Sequence, residues 1–200
     1  MRKVICLSLL LLSPPLPAAA FIAASVGAHV FSFQSKDGEV TPNYYGIASQ
    51  FNLGCALSPH LDISTFGAYL PAGAHIPKVG QETARLMEYG GEISWQFSDA
   101  FLALKGGPVT YLLRNPQGVE GEITGQWRGT GGGIELGSFQ KVERHQSWQI
   151  SLAYFYILLQ SPNQDQPASR HLHQIGIQAR YTFGGLLRRW AQHSIFDHVF

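Results

Sequence analysis

The fold of this chain is decided by the stretch at residues 86–97, which reads LMEYGGEISWQF. Every second residue from Met87 onward is apolar or glycine, whereas the alternate register carries Glu88, Glu92, Ser94 and Gln96. Side chains of a β-strand point alternately to opposite faces. The stretch therefore predicts a strand with one apolar face and one polar face, and the carboxylates of the polar face need compensating charges.

The same alternation recurs along the chain, with apolar residues at every second position. It predicts about eight strands, at residues 24–33, 44–57, 61–69, 86–97, 101–113, 126–139, 147–158 and 171–183. The connections after the second, fourth and sixth strands are short. The others are long, polar and rich in Gly or Pro, at residues 34–43, 71–85, 115–125 and 161–170. This hairpin rhythm predicts an all-β, antiparallel up-and-down barrel with short turns at one end and long loops at the other.

Composition indicates which face of the barrel points outward. Charged residues make up 14% of the chain, against about 25% in soluble domains. Aromatic residues near the predicted strand ends suit the girdles that meet lipid head groups, namely Tyr45, Tyr69, Trp95, Trp148 and Tyr181. We therefore predict a transmembrane barrel whose apolar face meets lipid. Because alternation alone does not say which face is inside, a soluble periplasmic ligand-binding barrel is the rival interpretation.

The N-terminus carries the pattern of a secretory signal peptide. Arg2 and Lys3 precede an apolar run at residues 4–12, and three alanines at 18–20 supply a cleavage site before Phe21. No later segment has the roughly 18 apolar residues that a transmembrane helix needs. Loss of residues 1–20 leaves Cys55 as a lone cysteine, so no intramolecular disulfide is expected. The chain's formal net charge of +1 is close to neutral, which argues against nucleic-acid binding.

The last predicted strand, residues 175–183, reads IGIQARYTF and resembles the terminal strand of bacterial outer-membrane β-barrel proteins. Across residues 21–183 the chain resembles the small OmpA/OmpX-type barrels. The resemblance implies a monomer in the bacterial outer membrane, in contact with lipid and lipopolysaccharide and inserted by the barrel assembly machinery. It also implies that this machinery reads the terminal strand through Ile175, Ile177, Ala179, Tyr181 and Phe183. Residues 184–200 extend beyond the family pattern, as a short periplasmic amphipathic helix or a frayed terminus.

The charged residues of the polar face form a candidate cluster inside the barrel. The pattern assigns three acids and three bases to the interior: Glu88, Glu92, Glu135, Lys105, Arg128 and Arg180. Counting from the short turns places Lys105 between Glu92 and Glu135. Unpaired charges in a confined interior are costly, so mutual pairing is expected. A gate or proton pathway is the alternative, but eight strands enclose only enough space for side chains, which favours a structural plug of the lumen.

Histidines raise an enzymatic alternative, because some outer-membrane barrels modify lipid A. His145 and Ser147 have the spacing of the lipid A deacylase motif, but Trp148 stands where that motif has Asn. A second group, His60, Asp62 and Ser64, resembles a triad only on paper. His171 and His173 are predicted at the outer end of the last strand, facing lipid.

We predict no catalytic residues, no metal site and no cofactor. The expected role is structural or adhesion-like, carried by the extracellular loops, with a lipid A-modifying acyl hydrolase or transferase as the alternative.

Overall fold

Eight antiparallel strands form a closed barrel in the computed structural model, which describes residues 19–34, 43–58, 60–76, 80–114, 123–143, 146–160 and 169–184. Neighbours in sequence are neighbours in space, and β8 closes the barrel by pairing with β1. No helix able to cross a membrane occurs in the part of the chain that the structure describes. The strands are β1 (Ala19–Gln34), β2 (Tyr44–Ser58), β3 (Leu61–Ile76), β4 (Gly80–Phe97), β5 (Ala100–Arg114), β6 (Ile123–Glu143), β7 (Gln146–Gln160) and β8 (Ser169–Gly184).

The predicted strand number, antiparallel order and fold class are confirmed. Closure leaves no unpaired sheet edge, which is the requirement for strands that cross a bilayer. Three connections at one end are short, at residues 59–60, 98–99 and 144–145. By the pattern of these barrels that end is periplasmic and the opposite end is extracellular.

Apolar side chains cover the outer face of every strand. Exposed examples, one from each of β1 to β8, are Val26, Ile47, Ile63, Ile93, Leu104, Ile134, Ile150 and Ile177. A soluble barrel would not present such a continuous apolar belt to water. The soluble periplasmic interpretation is therefore disfavoured, and the belt fits a hydrocarbon environment.

The segment 71–85 was predicted as a long loop, and that prediction is wrong. Pairing between β3 and β4 continues from Pro71↔Arg85 to Ile76↔Gly80, which leaves residues 77–79 as the connection. Polar and Gly/Pro-containing sequence indicates a loop only when no partner strand is available. Here β3 and β4 hydrogen-bond to each other along these residues. Strand residues that extend beyond the lipid are not in contact with hydrocarbon, so they can be polar.

Other strand boundaries also extend beyond the prediction. Strand β1 begins at Ala19, five residues before its predicted start and two before the predicted mature N-terminus at Phe21. Strand β6 continues to Glu143. Residues 1–18 of the predicted signal peptide and residues 185–200 of the predicted extension lie outside the described residues.

Two backbone positions have specific steric requirements. Ser98, in the turn between β4 and β5, has a φ of 50°, a conformation that costs an L-residue energy and suits glycine. Gly90 of β4 lies against the backbone of β5, where an added Cβ would collide with the carbonyl oxygen of Gly106. The adjacent Gly91 faces outward with nothing within 4 Å of such a Cβ.

Candidate functional site

Four ionised side chains meet in the periplasmic half of the barrel interior. Glu92 comes from β4, Lys105 from β5, Glu135 from β6 and Arg180 from β8, and all four are buried. Cross-strand pairing sets Glu92 directly opposite Lys105. Closure of the barrel brings Arg180 across the lumen to both carboxylates. We call this group the charge cluster.

Each cation of the charge cluster bridges both carboxylates. The guanidinium of Arg180 donates from Nη1 to Glu92 Oε1 at 2.7 Å and from Nη2 to Glu92 Oε2 at 3.1 Å. The same Nη2 reaches Glu135 Oε2 at 3.0 Å. The Lys105 ammonium lies 3.4 Å from Glu92 Oε2 and forms a second salt bridge with Glu135. Two negative and two positive charges therefore cancel, as buried ions require.

Neutral side chains satisfy further hydrogen-bonding capacity of the charge cluster. Asn52 donates to Glu92 Oε2 at 3.1 Å, and Ser151 donates to Glu135 Oε1 at 2.5 Å. Lys105 donates to Gln50 Oε1 at 3.2 Å. These partners come from β2 and β7, so the network links β2, β4, β5, β6, β7 and β8. Such a network fixes the register of strands that are far apart in sequence.

Two of the six predicted lumen charges lie outside this network. Glu88 is buried on the inner face of β4 but takes part in none of the salt bridges found among the described residues. Arg128 is exposed on the outer face of β6, so its assignment to the lumen is wrong. The β6–β7 register runs without a bulge from Arg128 to Lys141, and period-two alternation puts Arg128 on the same side as Ile134 and Leu136.

An apolar core that the sequence reasoning missed fills the extracellular half of the interior. The Phe31 and Tyr44 rings stack with their centroids 4.9 Å apart, and the centroids of the Tyr111 and Trp127 rings lie 5.4 Å apart. The guanidinium of Arg170 lies over the Trp127 ring, 4.5 Å from its centroid, a cation–π arrangement. We call this group the aromatic core; it continues into aliphatic residues, including Leu70, Leu86, Ile157, Leu159 and Leu172.

A sequence signal for the aromatic core exists at residues 155–159, which read FYILL. Both registers are apolar there, whereas a strand beside a polar lumen would alternate. Other strands also carry bulky residues on their inner faces near the long-loop end of the barrel, such as Phe31 of β1 and Trp127 of β6. A run that is apolar on both faces indicates burial on both, here against lipid and against the core.

A small cavity of about 20 Å³ lies between the charge cluster and the aromatic core. Glu88, His29, Gln174 and Lys105 are among the side chains that line it. A volume of this size holds about one water molecule. It offers no room for an organic substrate or for a hydrated solute.

Among the described residues considered for catalysis, His60, Asp62 and Ser64 do not form a catalytic arrangement. His60 is an exposed turn residue whose Nδ1 donates to the Gln96 carbonyl at 3.2 Å. Asp62 accepts from Gln96 Nε2 at 2.7 Å, and Ser64 Oγ accepts from Asn52 at 3.2 Å. The three therefore bind other groups. His145 of the other candidate pair lies outside the described residues, and within those residues no metal-binding group of three or more ligands comes together.

Histidines and tyrosines pair on the outer face of β7 and β8 near the extracellular end. Tyr154 Oη lies 2.9 Å from His173 Nδ1, and Tyr156 hydrogen-bonds His171 in the same way. Both histidines are half-buried in the outward register. This position agrees with the prediction that they lie at the outer end of the last strand and face lipid.

The residues of the terminal strand β8 that were assigned to assembly point outward. Ile175, Ile177 and Phe183 are exposed, while Ala179 and Tyr181 are half-buried on the same face. Tyr181 packs at 4.6 Å from Trp148 and donates to Gln146 at 2.6 Å. An aromatic girdle thus marks the periplasmic boundary of the apolar belt.

The closed eight-stranded barrel, its apolar outer belt and its periplasmic aromatic girdle define a small outer-membrane-type β-barrel. Comparison with solved structures agrees with this class. The chain is similar to Neisserial surface protein A (NspA), with a TM-score of 0.57 and 14% identity over 82% of this chain and 96% of that one.

Two further solved structures are similar at lower scores. One is Ail, the attachment invasion locus protein of Yersinia pestis, in complex with the heparin analogue sucrose octasulfate, with a TM-score of 0.49 and 12% identity over 82% of this chain and 99% of that one. The other is the outer membrane protein AlkL, with a TM-score of 0.45 and 10% identity over 86% of this chain and 92% of that one. No family model and no curated protein matches the sequence. At these identities the similarity concerns the fold.

Proposed function

We propose that this protein is a sealed outer-membrane barrel with a structural, adhesion-like role, in which extracellular segments contact a partner at the cell surface. In this proposal the barrel is a scaffold that neither conducts solutes nor carries out catalysis. The interior then stabilises the scaffold, and recognition belongs to the segments that join the strands at the extracellular end.

The observation that carries the proposal is the double filling of the interior. The charge cluster occupies the periplasmic half, and the aromatic core occupies the extracellular half. Eight strands enclose only enough space for side chains, and a cavity of about 20 Å³ between the two layers admits no solute. This arrangement supports a plugged lumen.

Conductance in planar bilayers tests the plug. The folded protein is expected to insert without producing discrete current steps above the lipid background. A general-diffusion porin, inserted under the same conditions, shows that the assay detects open barrels. Reproducible steps from the purified protein would show that the lumen conducts and would overturn this part of the proposal.

Whole-cell adhesion tests the surface role. A deletion strain is complemented with the native chain or with a variant in which residues 35–42 and 161–168 are replaced by Gly/Ser sequences of equal length. We expect the variant to reach the outer membrane in equal amount and to lose adhesion to host cells or matrix. Equal adhesion by deletion, native and variant strains would remove the adhesion-like role.

Lipid A mass spectra test the absence of enzymatic activity. The proposal expects the same number of acyl chains with and without expression of the protein. A change in acyl number would instead establish the lipid A-modifying alternative. His60, Asp62 and Ser64 each hydrogen-bond to a residue outside the candidate triad, which supports the non-enzymatic role.

Export and assembly complete the proposal. Removal of residues 1–20 is expected to give a mature N-terminus at Phe21, which sequencing of the membrane-extracted protein will report. Phe183→Ala in β8 is expected to lower the yield of inserted barrel, whereas the matched variant Phe97→Ala is expected to insert normally. Phe97 is a comparably exposed aromatic at the periplasmic end of β4. Equal yields would argue against reading of β8 by the assembly machinery.

A further inference from the structure

The outer wall formed by β1 to β5 carries a groove that the sealed-scaffold role does not use. Its extracellular part, about 380 Å³ in volume, is lined by Tyr45, Tyr69, Thr83, Arg85 and Arg114, among others. Its lower part, about 470 Å³, is lined on the outer face by Ala24, Ser49, Phe51, Gly67, Tyr69 and Met87. Tyr69 lines both parts, so the two open depressions adjoin along the wall, and we call them together the wall groove.

The upper end of the wall groove is basic. Arg85 of β4 and Arg114 of β5 lie diagonally on neighbouring strands, since Arg85 pairs with Leu112 and Thr83 pairs with Arg114. Neither arginine forms a salt bridge with an acid within the described residues. The acids of β4 that the structure describes point inward, where Glu82 accepts from Tyr44. The arginines therefore offer positive charge to a ligand at the membrane surface.

The lower end of the wall groove is apolar, and the residue at its base has no side chain. Gly67 supplies the floor, because nothing lies within 4 Å of a Cβ built at that position. Phe51, Tyr69 and Met87 form the flanks. The lower part spans β1 to β4, three strand spacings or about 14 Å, which is wider than a single acyl chain.

We propose that the wall groove binds one molecule of lipid A, the phosphorylated multi-acyl glycolipid of the outer leaflet, with a phosphate between Arg85 and Arg114 and acyl chains over Gly67. Tyr45 and Tyr69 lie at the level where girdle aromatics meet head groups. Guanidinium groups bind phosphate oxygens in bidentate fashion, and the width of the apolar part fits several acyl chains. This inference rests on the outer-membrane location in the proposed function.

Native mass spectrometry of the folded protein, released from detergent micelles containing hexa-acyl lipid A, tests the wall groove. We expect one retained lipid A per native barrel. Arg85→Met/Arg114→Met is expected to weaken retention about tenfold or more, because charged hydrogen bonds are lost. The matched control is Arg128→Met, which removes an exposed outer-face arginine outside the groove and is expected to leave retention unchanged.

A second variant tests the apolar part with the arginines in place. Gly67→Leu fills open space without meeting neighbouring atoms at its Cβ, so the barrel is expected to fold and to lose lipid A about as strongly as the arginine variant. Phosphatidylglycerol, offered at the same concentration, is expected not to form a one-to-one complex.

Any of three results would overturn the proposal that the wall groove binds lipid A. Both groove variants could retain lipid A as well as the native chain does, or the Arg128→Met control could lose as much lipid A as the groove variants. The third result is that the native chain retains phosphatidylglycerol as well as it retains lipid A. Heat-modifiable migration of each sample on SDS gels reports the folded barrel separately. A barrel that folds and inserts but retains no lipid A refutes the groove alone. A chain that fails to insert into bilayers refutes the proposed function.

Discussion

Removal of the Lys105 ammonium is the most informative perturbation of the barrel interior. Lys105→Met keeps the length and most of the volume of the side chain while deleting its charge. The variant leaves Glu92 and Glu135 with Arg180 as their one remaining cation in the charge cluster, so the cluster acquires a net charge of −1 in a buried environment.

The expected magnitude follows from the burial of both partners. Lys105 and Glu135 have fully buried side chains, and Lys105 also donates to Gln50 at 3.2 Å. Breaking a buried ion pair by removing one partner costs about 3–5 kcal/mol. The double variant Lys105→Met/Glu135→Gln removes one charge of each sign, so the net charge returns to zero. We expect the double variant to recover at least about 1.5 kcal/mol of that loss, the size of a charged hydrogen bond.

Urea unfolding of the protein in lipid vesicles, followed by tryptophan fluorescence and by heat-modifiable migration, measures these free energies. Arg128→Met serves as the control, because its exposed side chain makes none of the buried contacts, and it is expected to change stability by less than about 0.5 kcal/mol. Two results would contradict the described role of the ion pairs. One is a Lys105→Met variant as stable as the native chain. The other is a double variant whose loss of unfolding free energy equals the sum of the losses in the Lys105→Met and Glu135→Gln single variants.

Four further substitutions, one of them a matched control, test the turns, the wall and the core by the same unfolding assay. Ser98→Gly is expected to stabilise the barrel by about 1 kcal/mol, because glycine adopts the φ of 50° without strain; destabilisation would contradict the assigned turn. Gly90→Ala is expected to cost about 1–3 kcal/mol by collision with Gly106, and the adjacent Gly91→Ala, with open space around its Cβ, to cost nothing measurable. Equal effects at the two glycines would contradict the close approach of β4 and β5. Trp127→Ala is expected to cost about 3–5 kcal/mol through loss of buried contacts, and a change below 1 kcal/mol would show that the aromatic core is not packed.

The number of strands and the outward face of each strand could be predicted from the sequence, because lipid on one side and the interior on the other impose a period of two on every strand. The register of β7 illustrates this: Trp148, Ile150 and Leu152 were predicted on one face and are all exposed. The same period of two makes an error of one residue serious, because a shift by one position along a strand moves a side chain to the other face of the sheet. Arg128 was assigned to the lumen although it shares the parity of Ile134, and the structure places it outside.

Contacts between distant strands were beyond the reach of the sequence pattern. Inner-face alternation identified Arg180 as a lumen residue, but its bidentate contact with Glu92 depends on closure of β8 onto β1. The aromatic core was missed for a related reason. Phe31 and Trp127 are far apart in sequence, and their side chains meet in a common interior only in the closed barrel.

Site-directed spin labelling tests the orientation of the wall most directly. Nitroxides are placed at Ile93 on the outer face of β4 and at Gln96 on its inner face, in a Cys55→Ser background, and the protein is folded into lipid vesicles. Because Ile93 is exposed on the apolar belt and Gln96 is half-buried toward the interior, the account predicts that the Ile93 label collides with oxygen dissolved in the bilayer and is shielded from a water-soluble nickel chelate. The Gln96 label should have little access to bilayer oxygen. Free access of the chelate to the Ile93 label, together with bilayer oxygen at the Gln96 label, would contradict it.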